Sequence, residues 1–172
     1  MSANFIYLDH QATTPLAPEA RAAMLPWLAG PEAMGFANPH SMHKAGRAAA
    51  AAVEVAREQV AALLPKGGRG IFTSGATEAL NQALRSVPRG GIAYLAVEHS
   101  AVVNAALASG AKCHELPVGA DGLIDPELDL PDGVGLVAAM QVNNEIGTIQ
   151  PVARLAERAH ELGALFLCDA VQ

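Results

Sequence analysis

The residues best suited to bind a ligand are the four of the stretch Ser74-Gly75-Ala76-Thr77. The apolar run before them, 70–73, predicts a strand, and Leu80 and Leu84 after them recur at helical spacing. A strand that turns directly into a helix leaves the first helical amides unpaired, and the helix dipole makes that end positive. We expect these amides to bind a phosphate group. The alternative is that Ser74 only caps the helix, which explains the same pattern equally well.

Polar side chains also follow the later predicted strands. The pair Glu98-His99 follows one strand, Asn143-Asn144 follows another, and Asp169 and Gln172 follow the last. Because the carboxyl ends of parallel strands meet at one edge of a sheet, we expect these groups to lie close together. Taken singly, His99 and Asp169 are ordinary helix caps and the two asparagines an ordinary turn. Taken together, they indicate a site.

Such a set of groups fits pyridoxal 5'-phosphate. A carboxylate at the end of a core strand can keep the pyridine nitrogen protonated, which makes the ring an electron sink. An imidazole can lie over the ring and transfer protons, and amides can hold the phenolic oxygen. The sequence therefore predicts a site for this cofactor at the carboxyl edge of the sheet.

The elements that must position these groups alternate between strand and helix. Predicted strands lie at 5–8 (or an extended arm), 70–73, 92–97, 112–118, 134–140 and 164–168, and predicted helices at 18–28, up to Leu64, at 100–108 and from Pro151 to Gly163. The strands 92–97, 134–140 and 164–168 should be central and buried on both faces. The last helix should bury Val152, Leu155, Ala159 and Leu162. This alternation indicates an α/β fold with a largely parallel sheet.

The composition narrows the classes of protein further. A chain of 172 residues predicts one compact unit, and a net charge of −6 without a basic block disfavours a nucleic-acid partner. No apolar run approaches the roughly 20 residues of a membrane span. Cys113 and Cys168 lack metal-ligand spacing, which favours reduced thiols, and Cys168 is predicted to be buried in its strand. We therefore expect a cytoplasmic protein.

Six motifs, in order along the chain, resemble those of the N-terminal part of cysteine desulfurases. The resemblance is to the branch that serves iron–sulfur cluster assembly and nitrogenase maturation, in the class V aminotransferase group of fold-type I pyridoxal-phosphate enzymes. The motifs are Tyr7-Leu8-Asp9-His10-Gln11-Ala12-Thr13-Thr14-Pro15, Asn38-Pro39-His40-Ser41-Met42-His43-Lys44-Ala45-Gly46, Phe72-Thr73-Ser74-Gly75-Ala76-Thr77-Glu78, Glu98-His99-Ser100-Ala101-Val102, Asn143-Asn144-Glu145-Ile146-Gly147-Thr148-Ile149-Gln150-Pro151 and Asp169-Ala170-Val171-Gln172.

The resemblance implies a three-layer α/β fold with a largely parallel sheet. This is the large domain of fold-type I enzymes, incomplete in this chain. Residues 1–172 would form an N-terminal arm and the first part of that domain, without its remainder and the C-terminal small domain. The implied activity converts L-cysteine to L-alanine and leaves the sulfur on an enzyme cysteine as a persulfide. The implied partners are a second copy of the parent protein and a sulfur-acceptor or iron–sulfur scaffold protein.

The resemblance also implies a role for each site residue. Ala76 and Thr77 would bind the cofactor phosphate. His99 would stack on the ring and assist proton transfer. Asp169 would pair with the pyridine nitrogen. Asn144 would lie beside the cofactor and the substrate carboxylate, and Gln172 would hydrogen-bond the phenolic oxygen.

The main departure from the family is the ending. The family's Schiff-base lysine, nucleophilic cysteine and substrate-binding arginine would follow Gln172, so we expect this chain to be inactive alone. The stretch Ser41-Met42-His43-Lys44 spells the lysine motif but precedes the phosphate turn, which argues against that role. The other lysines, Lys66 and Lys112, lie in a predicted loop and a peripheral strand.

Three alternative interpretations stay open. A selenocysteine lyase or a small-amino-acid aminotransferase would share the same platform. A nucleotide-binding α/β protein is disfavoured because the chain has no G-x-G-x-x-G, and no Gly-Lys-Ser/Thr ends the loop. The third is a non-catalytic product, either truncated or associated with a partner chain.

Overall fold

The computed structural model describes residues 6–10, 12–28, 30, 36–64, 67–87 and 89–172. Phe5, Gln11 and Lys66, named above, lie outside the described residues. The chain divides into two compact units, Met1–Phe72 and Thr73–Gln172, so the prediction of one unit is wrong. Among the described residues, no helix is both long and apolar enough to cross a bilayer.

Over its described residues, the first unit contains two α-helices, α1 (Pro18–Leu28) and α2 (Lys44–Ala61), close to the predicted ranges. The helix α2 begins after His43, whose Nδ1 accepts the Gly46 amide at 3.2 Å. His43 therefore caps a helix and Lys44 is the first residue of that helix, which explains the lysine-like motif as local structure.

The predicted strand at 70–73 is absent, and the segment predicted as a strand or an extended arm forms no strand over its described residues. The described residues 6–8 are irregular, as an extended arm would be, and the run 70–73 pairs with no strand. Arg57 of α2 replaces a pairing partner here: its guanidinium donates to the Gly70 carbonyl at 2.6 Å and lies 5.1 Å from the centre of the Phe72 ring. A tertiary side-chain contact thus satisfies a backbone group that the predicted strand would have paired.

The second unit is built on a four-stranded parallel sheet in the order β2-β1-β3-β4. Its elements in chain order are α3 (Ala76–Arg85), β1 (Gly91–Leu95), α4 (Ser100–Ala108), β2 (Cys113–Leu116), β3 (Val134–Met140), α5 (Val152–Glu161) and β4 (Leu165–Asp169). The described residues give β4 a partner on one side only, and Leu165 is 55% exposed. The prediction that this strand is central and covered on both faces is therefore wrong, whereas β1 and β3 are central and buried.

Side chains of β1 and β3 alternate between two apolar cores, one on each face of the sheet. One core joins Ile92, Tyr94, Leu136 and Ala138 to Leu80 and Leu84 of α3 and to Val102, Ala105 and Ala106 of α4. The other core joins Ala93, Leu95, Val137 and Ala139 to Leu155 and Ala159 of α5. Helices thus cover both faces, which confirms the predicted three-layer α/β fold.

Candidate functional site

The first turn of α3 carries amides that have no helical partner. Gly75 is the N-cap residue and adds no side-chain cap, and the first helical hydrogen bond runs from the Ala79 amide to the Gly75 carbonyl at 3.2 Å. Within the described part of the chain, the amides of Ala76 and Thr77 have no backbone acceptor. These two amides are therefore able to bind an anion at the positive end of the helix.

Ser74 does not cap this helix, so the alternative interpretation of its role is wrong. Its hydroxyl and its amide both donate to Oε2 of Glu78, at 2.6 and 2.7 Å. These hydrogen bonds lower the pKa of Glu78 below its ordinary value. The Ser74 hydroxyl is thus already engaged inside the turn, and the amides of Ala76 and Thr77 stay available to an acceptor.

His99 has the capping role considered above. It is the N-cap residue of α4, and its Nδ1 accepts the Ala101 amide at 3.1 Å. This hydrogen bond places the proton of the neutral ring on Nε2. Because the side chain is exposed, Nε2 is available to a ligand while Nδ1 holds the helix end.

Asn143 links the two loops that follow β1 and β3. Its Nδ2 donates to the Val97 carbonyl at 2.9 Å and contacts Sδ of Met140 at 3.2 Å. Its Oδ1 accepts the amides of Glu145 and Ile146 at 2.9 and 3.0 Å. The sequence predicted an ordinary turn here as one of two interpretations, but not the long-range hydrogen bond of this buried residue, which shapes the turn that carries Asn144.

The two loops and the first turns of α4 line one cleft, here called the α4 cleft, of about 540 Å³. His99 and Asn144 lie on it together, which confirms that the fold brings these two predicted residues to one place. Its lining residues are Val97, Glu98, His99, Ser100, Val103, Asn104, Asn143, Asn144, Glu145 and Ile146. The lining combines amides, a hydroxyl, an imidazole, two carboxylates and apolar groups, which suits a small polar ligand with an apolar face.

Asp169 ends β4 at the same edge of the sheet, although it does not line the α4 cleft. It lies opposite Met140 in the β3–β4 register, and its carbonyl accepts the Gln141 amide at 2.8 Å. Its Oδ1 accepts the Val171 amide at 3.1 Å. By strand alternation, Asp169 shares the sheet face of Leu167, which packs on the side of α3 and α4.

The remaining predicted residues, Ala76, Thr77 and Gln172, do not line the α4 cleft. Ala76 and Thr77 begin α3, which packs against α4 over one face of the sheet, and Gln172 lies exposed three residues beyond β4. Cys168 is exposed, so the prediction that it is buried is wrong. Although the residue is exposed, partial desolvation of its thiol raises its pKa, and the charges of Asp169 and Glu98 raise it further.

Glu98 is a second residue whose role sequence reasoning missed. Its Oε1 accepts the Met140 amide at 2.6 Å, and its buried Oε2 has no hydrogen-bond partner among the described residues. Desolvation raises the pKa of Glu98 to about 7, a shift opposed by the Met140 amide and increased by the charge of Asp169. The one signal in the sequence was its position, directly before a capping histidine and just after a buried strand.

Comparison with known proteins agrees with this arrangement. The family described as aminotransferase class-V matches residues 6–172. Over 97% of its length the chain is 44% identical to a cysteine desulfurase of Cereibacter sphaeroides, of which it covers 46%. Over 97% of its length the chain is also 39% identical to the cysteine desulfurase IscS of Rickettsia bellii, of which it covers 43%.

Solved structures show the same likeness in three dimensions. The chain is similar to a NifS-like protein with a TM-score of 0.85 and 31% identity, covering 97% of this chain and 49% of the other. It is also similar to the structure described as SspA in complex with cysteine, with a TM-score of 0.84 and 30% identity. That match covers 95% of this chain and 50% of the other. The chain spans about half the length of the curated relatives it matches.

Proposed function

Because this chain belongs to the class-V aminotransferase family, we propose that it provides the cofactor platform of a cysteine desulfurase. The reaction we propose for the whole protein takes L-cysteine to L-alanine. The carbon–sulfur bond of the substrate breaks and a sulfur–sulfur bond forms on an enzyme thiol, so the sulfur leaves as a persulfide. The desulfurase relatives and the structural likeness to SspA in complex with cysteine support this substrate.

Class V aminotransferases and cysteine desulfurases depend on pyridoxal phosphate, and the groups of this chain fit that cofactor. When bound, the cofactor supplies an electron sink for changes at the substrate α-carbon. Unpaired amides at the start of α3 suit its phosphate, and a carboxylate at the end of β4 suits its ring nitrogen. The residues that would hold it are Ala76, Thr77, His99, Asn144, Asp169 and Gln172.

The observation that carries the proposal is that His99 and Asn144 line one cleft beside the end of the Asp169 strand. His99 would present Nε2 to the ligand while its Nδ1 stays on the Ala101 amide, which orients the ring for holding or moving a proton. Asp169 would keep a ring nitrogen protonated through its negative charge. Asn144 would orient polar groups of the ligand from the opposite wall.

We also propose that residues 1–172 do not turn over L-cysteine by themselves. In the part of the chain that the structure describes, neither a lysine nor a cysteine lines the α4 cleft. Homodimer formation, an iron–sulfur scaffold protein as sulfur acceptor and a cytoplasmic location are further proposals. The name IscS of several relatives is consistent with the second. Adding L-cysteine and pyridoxal phosphate to the purified chain should yield no alanine, and its formation would contradict this point.

Binding of pyridoxamine 5'-phosphate to the chain tests the platform directly, since this ligand needs no lysine to form a covalent bond. We expect Asp169→Asn to weaken binding at least about tenfold, because the ring nitrogen loses its anionic partner. His99→Asn should also weaken binding while keeping the helix cap, since asparagine is itself a good N-cap residue. Isothermal titration calorimetry measures both.

The matched control is Asp129→Asn, which removes an exposed carboxylate from a loop remote in sequence from every site residue. Its affinity for pyridoxamine 5'-phosphate should equal that of the wild type. A wild-type chain that does not bind this ligand, or binding that Asp169→Asn leaves unchanged, would overturn the proposed platform.

A further inference from the structure

The side chain of Glu98 pairs the last backbone amide of β3, at a point beyond the end of β1. The amide of Glu98 donates to the Leu95 carbonyl at 3.0 Å, which marks a turn directly after β1. Beyond that turn the Oε1 of Glu98 accepts the Met140 amide at 2.6 Å, across 42 positions of sequence. A carboxylate oxygen thus takes the place that a strand carbonyl would occupy at the end of the ladder.

Met140 connects this contact to the predicted cofactor carboxylate. It lies opposite Asp169 in the β3–β4 register, and the next amide, that of Gln141, donates to the Asp169 carbonyl at 2.8 Å. His99 directly follows Glu98 in the chain. One glutamate side chain therefore ties the turn that carries His99 to the strand residue that faces Asp169.

We propose that Glu98 is a positioning residue that sets the separation between the imidazole of His99 and the carboxylate of Asp169. This inference rests on the proposed function, in which these two groups contact the cofactor ring. Shortening or removing the side chain would release the β1–α4 turn from β3. The two groups would then lose their fixed spacing while each stays chemically intact.

The second oxygen of Glu98 gives this positioning a charge dependence. Oε2 is buried and has no hydrogen-bond partner within the described residues. The titratable groups that interact with Glu98 through their charges are Asp169 and Cys168 of β4. His99 is its neighbour on the turn, and the Met140 amide comes from β3. An ionised Glu98 places a second anion near Asp169. A cationic ring nitrogen at Asp169 would stabilise both anions, so its binding should release a proton from Glu98 near neutral pH.

The first test uses the chain without any ligand. Carbon-13 NMR of labelled glutamate side chains follows the titration of Glu98 in the wild type and in Asp169→Asn. We expect the Glu98 pKa to fall in the variant because a facing negative charge is gone. Amide exchange at Met140 should stay slow in Glu98→Gln, which keeps an acceptor oxygen, and become fast in Glu98→Ala. An unchanged Glu98 titration, or a Met140 amide that stays protected in Glu98→Ala, would overturn the inference.

The second test compares affinities for pyridoxamine 5'-phosphate at pH 6 and pH 8. Dividing the wild-type Kd by that of Glu98→Gln removes the titration of the ligand itself. If ring binding lowers the Glu98 pKa by one unit, this ratio falls by up to about tenfold between the two pH values. A constant ratio would overturn the charge dependence. A wild type that binds no ligand would count against the proposed function, and the first test would still decide the role of Glu98.

Discussion

Asn143 donates its side-chain amide to the backbone carbonyl of Val97 at 2.9 Å, across 46 positions of sequence. Glu98, one residue beyond Val97, makes the reciprocal contact by accepting the Met140 amide at 2.6 Å. The turn after β1 is thus joined twice to the end of β3 and to the loop that follows it. Neither contact uses a residue to which the family resemblance gave a role toward the ligand.

Replacing Asn143 by alanine should destabilise the fold. The change removes hydrogen bonds to the Val97 carbonyl and to the amides of Glu145 and Ile146, and leaves these part-buried backbone groups without their side-chain partner. At about 1 kcal/mol for each bond, we expect a loss of about 2–3 kcal/mol in the free energy of unfolding, measured with urea. The matched control, Asn104→Ala on the exposed surface of α4, should change stability by less than about 0.5 kcal/mol. Equal effects of the two changes would contradict the linking role of Asn143.

The Glu98→Gln variant should change how stability depends on pH. The folded protein raises the Glu98 pKa from 4.5 to about 7, so protonated Glu98 favours the folded state. This contribution is full below pH 4.5 and is lost as pH rises through about 7. Glutamine cannot ionise, so the variant should lack this loss. The free energy of unfolding of the variant minus that of the wild type should therefore be about 2 kcal/mol larger at pH 8 than at pH 5. Urea unfolding at both pH values checks this, and a difference between the proteins that does not vary with pH would refute it.

Both cysteines should be slow to alkylate. Desolvation raises the pKa of the Cys113 thiol and, together with two carboxylates, that of Cys168. A smaller thiolate fraction reacts more slowly, so at pH 8 iodoacetamide should label each more slowly than free glutathione. Glu98→Gln should speed the labelling of Cys168 and leave Cys113 unchanged, as resolved by mass spectrometry of peptides. Faster labelling of Cys168 than of glutathione would show that its thiolate is stabilised instead.

Two arginines of α5 offer a paired test of the loop before β3. Arg158 donates to the carbonyls of Pro126 and Leu128 at 2.9 and 2.7 Å, whereas Arg154 pairs at 2.8 Å with the exposed Glu127. Arg158→Ala should cost about 1–2 kcal/mol because two loop carbonyls lose their donor. Arg154→Ala should cost less than about 1 kcal/mol, as exposed ion pairs do. Thermal unfolding of both variants gives the comparison, and the reverse order would show that the ion pairs dominate.

Local sequence patterns were sufficient to predict those helices and strands whose ends are marked by nearby residues. The helix α4 and the strand β3 have the predicted bounds, because a capping residue or a continuous apolar run marks their ends. Leu162 was predicted to face inward but is 59% exposed, since α5 ends at Glu161 and the stripe ends with it. Gly163 has the positive φ of 74° that suits a residue just after a helix end, as predicted.

Predictions failed where a distant residue decides the outcome. The strand expected at 70–73 is absent, and the Gly70 carbonyl accepts from Arg57. Asn143 and Glu98 were missed because their partners, Val97 and Met140, lie 46 and 42 positions away. His99 was identified because its signal is local: an imidazole next to a helix start. Local signals thus sufficed to identify His99 as a helix cap and to predict a turn at Asn143-Asn144, whereas the hydrogen bonds that join the two loops were not predictable.

The 46-residue separation between Asn143 and Val97 also determines when the two walls of the cleft are synthesised relative to each other. At a synthesis rate of roughly 5–20 residues per second, Asn143 is added about 2–9 s after Val97. During that interval the turn after β1 has neither the asparagine nor the Met140 amide to hold it. The cleft therefore cannot be completed until seconds after its first wall has been synthesised, and α5 and β4 follow it in the chain.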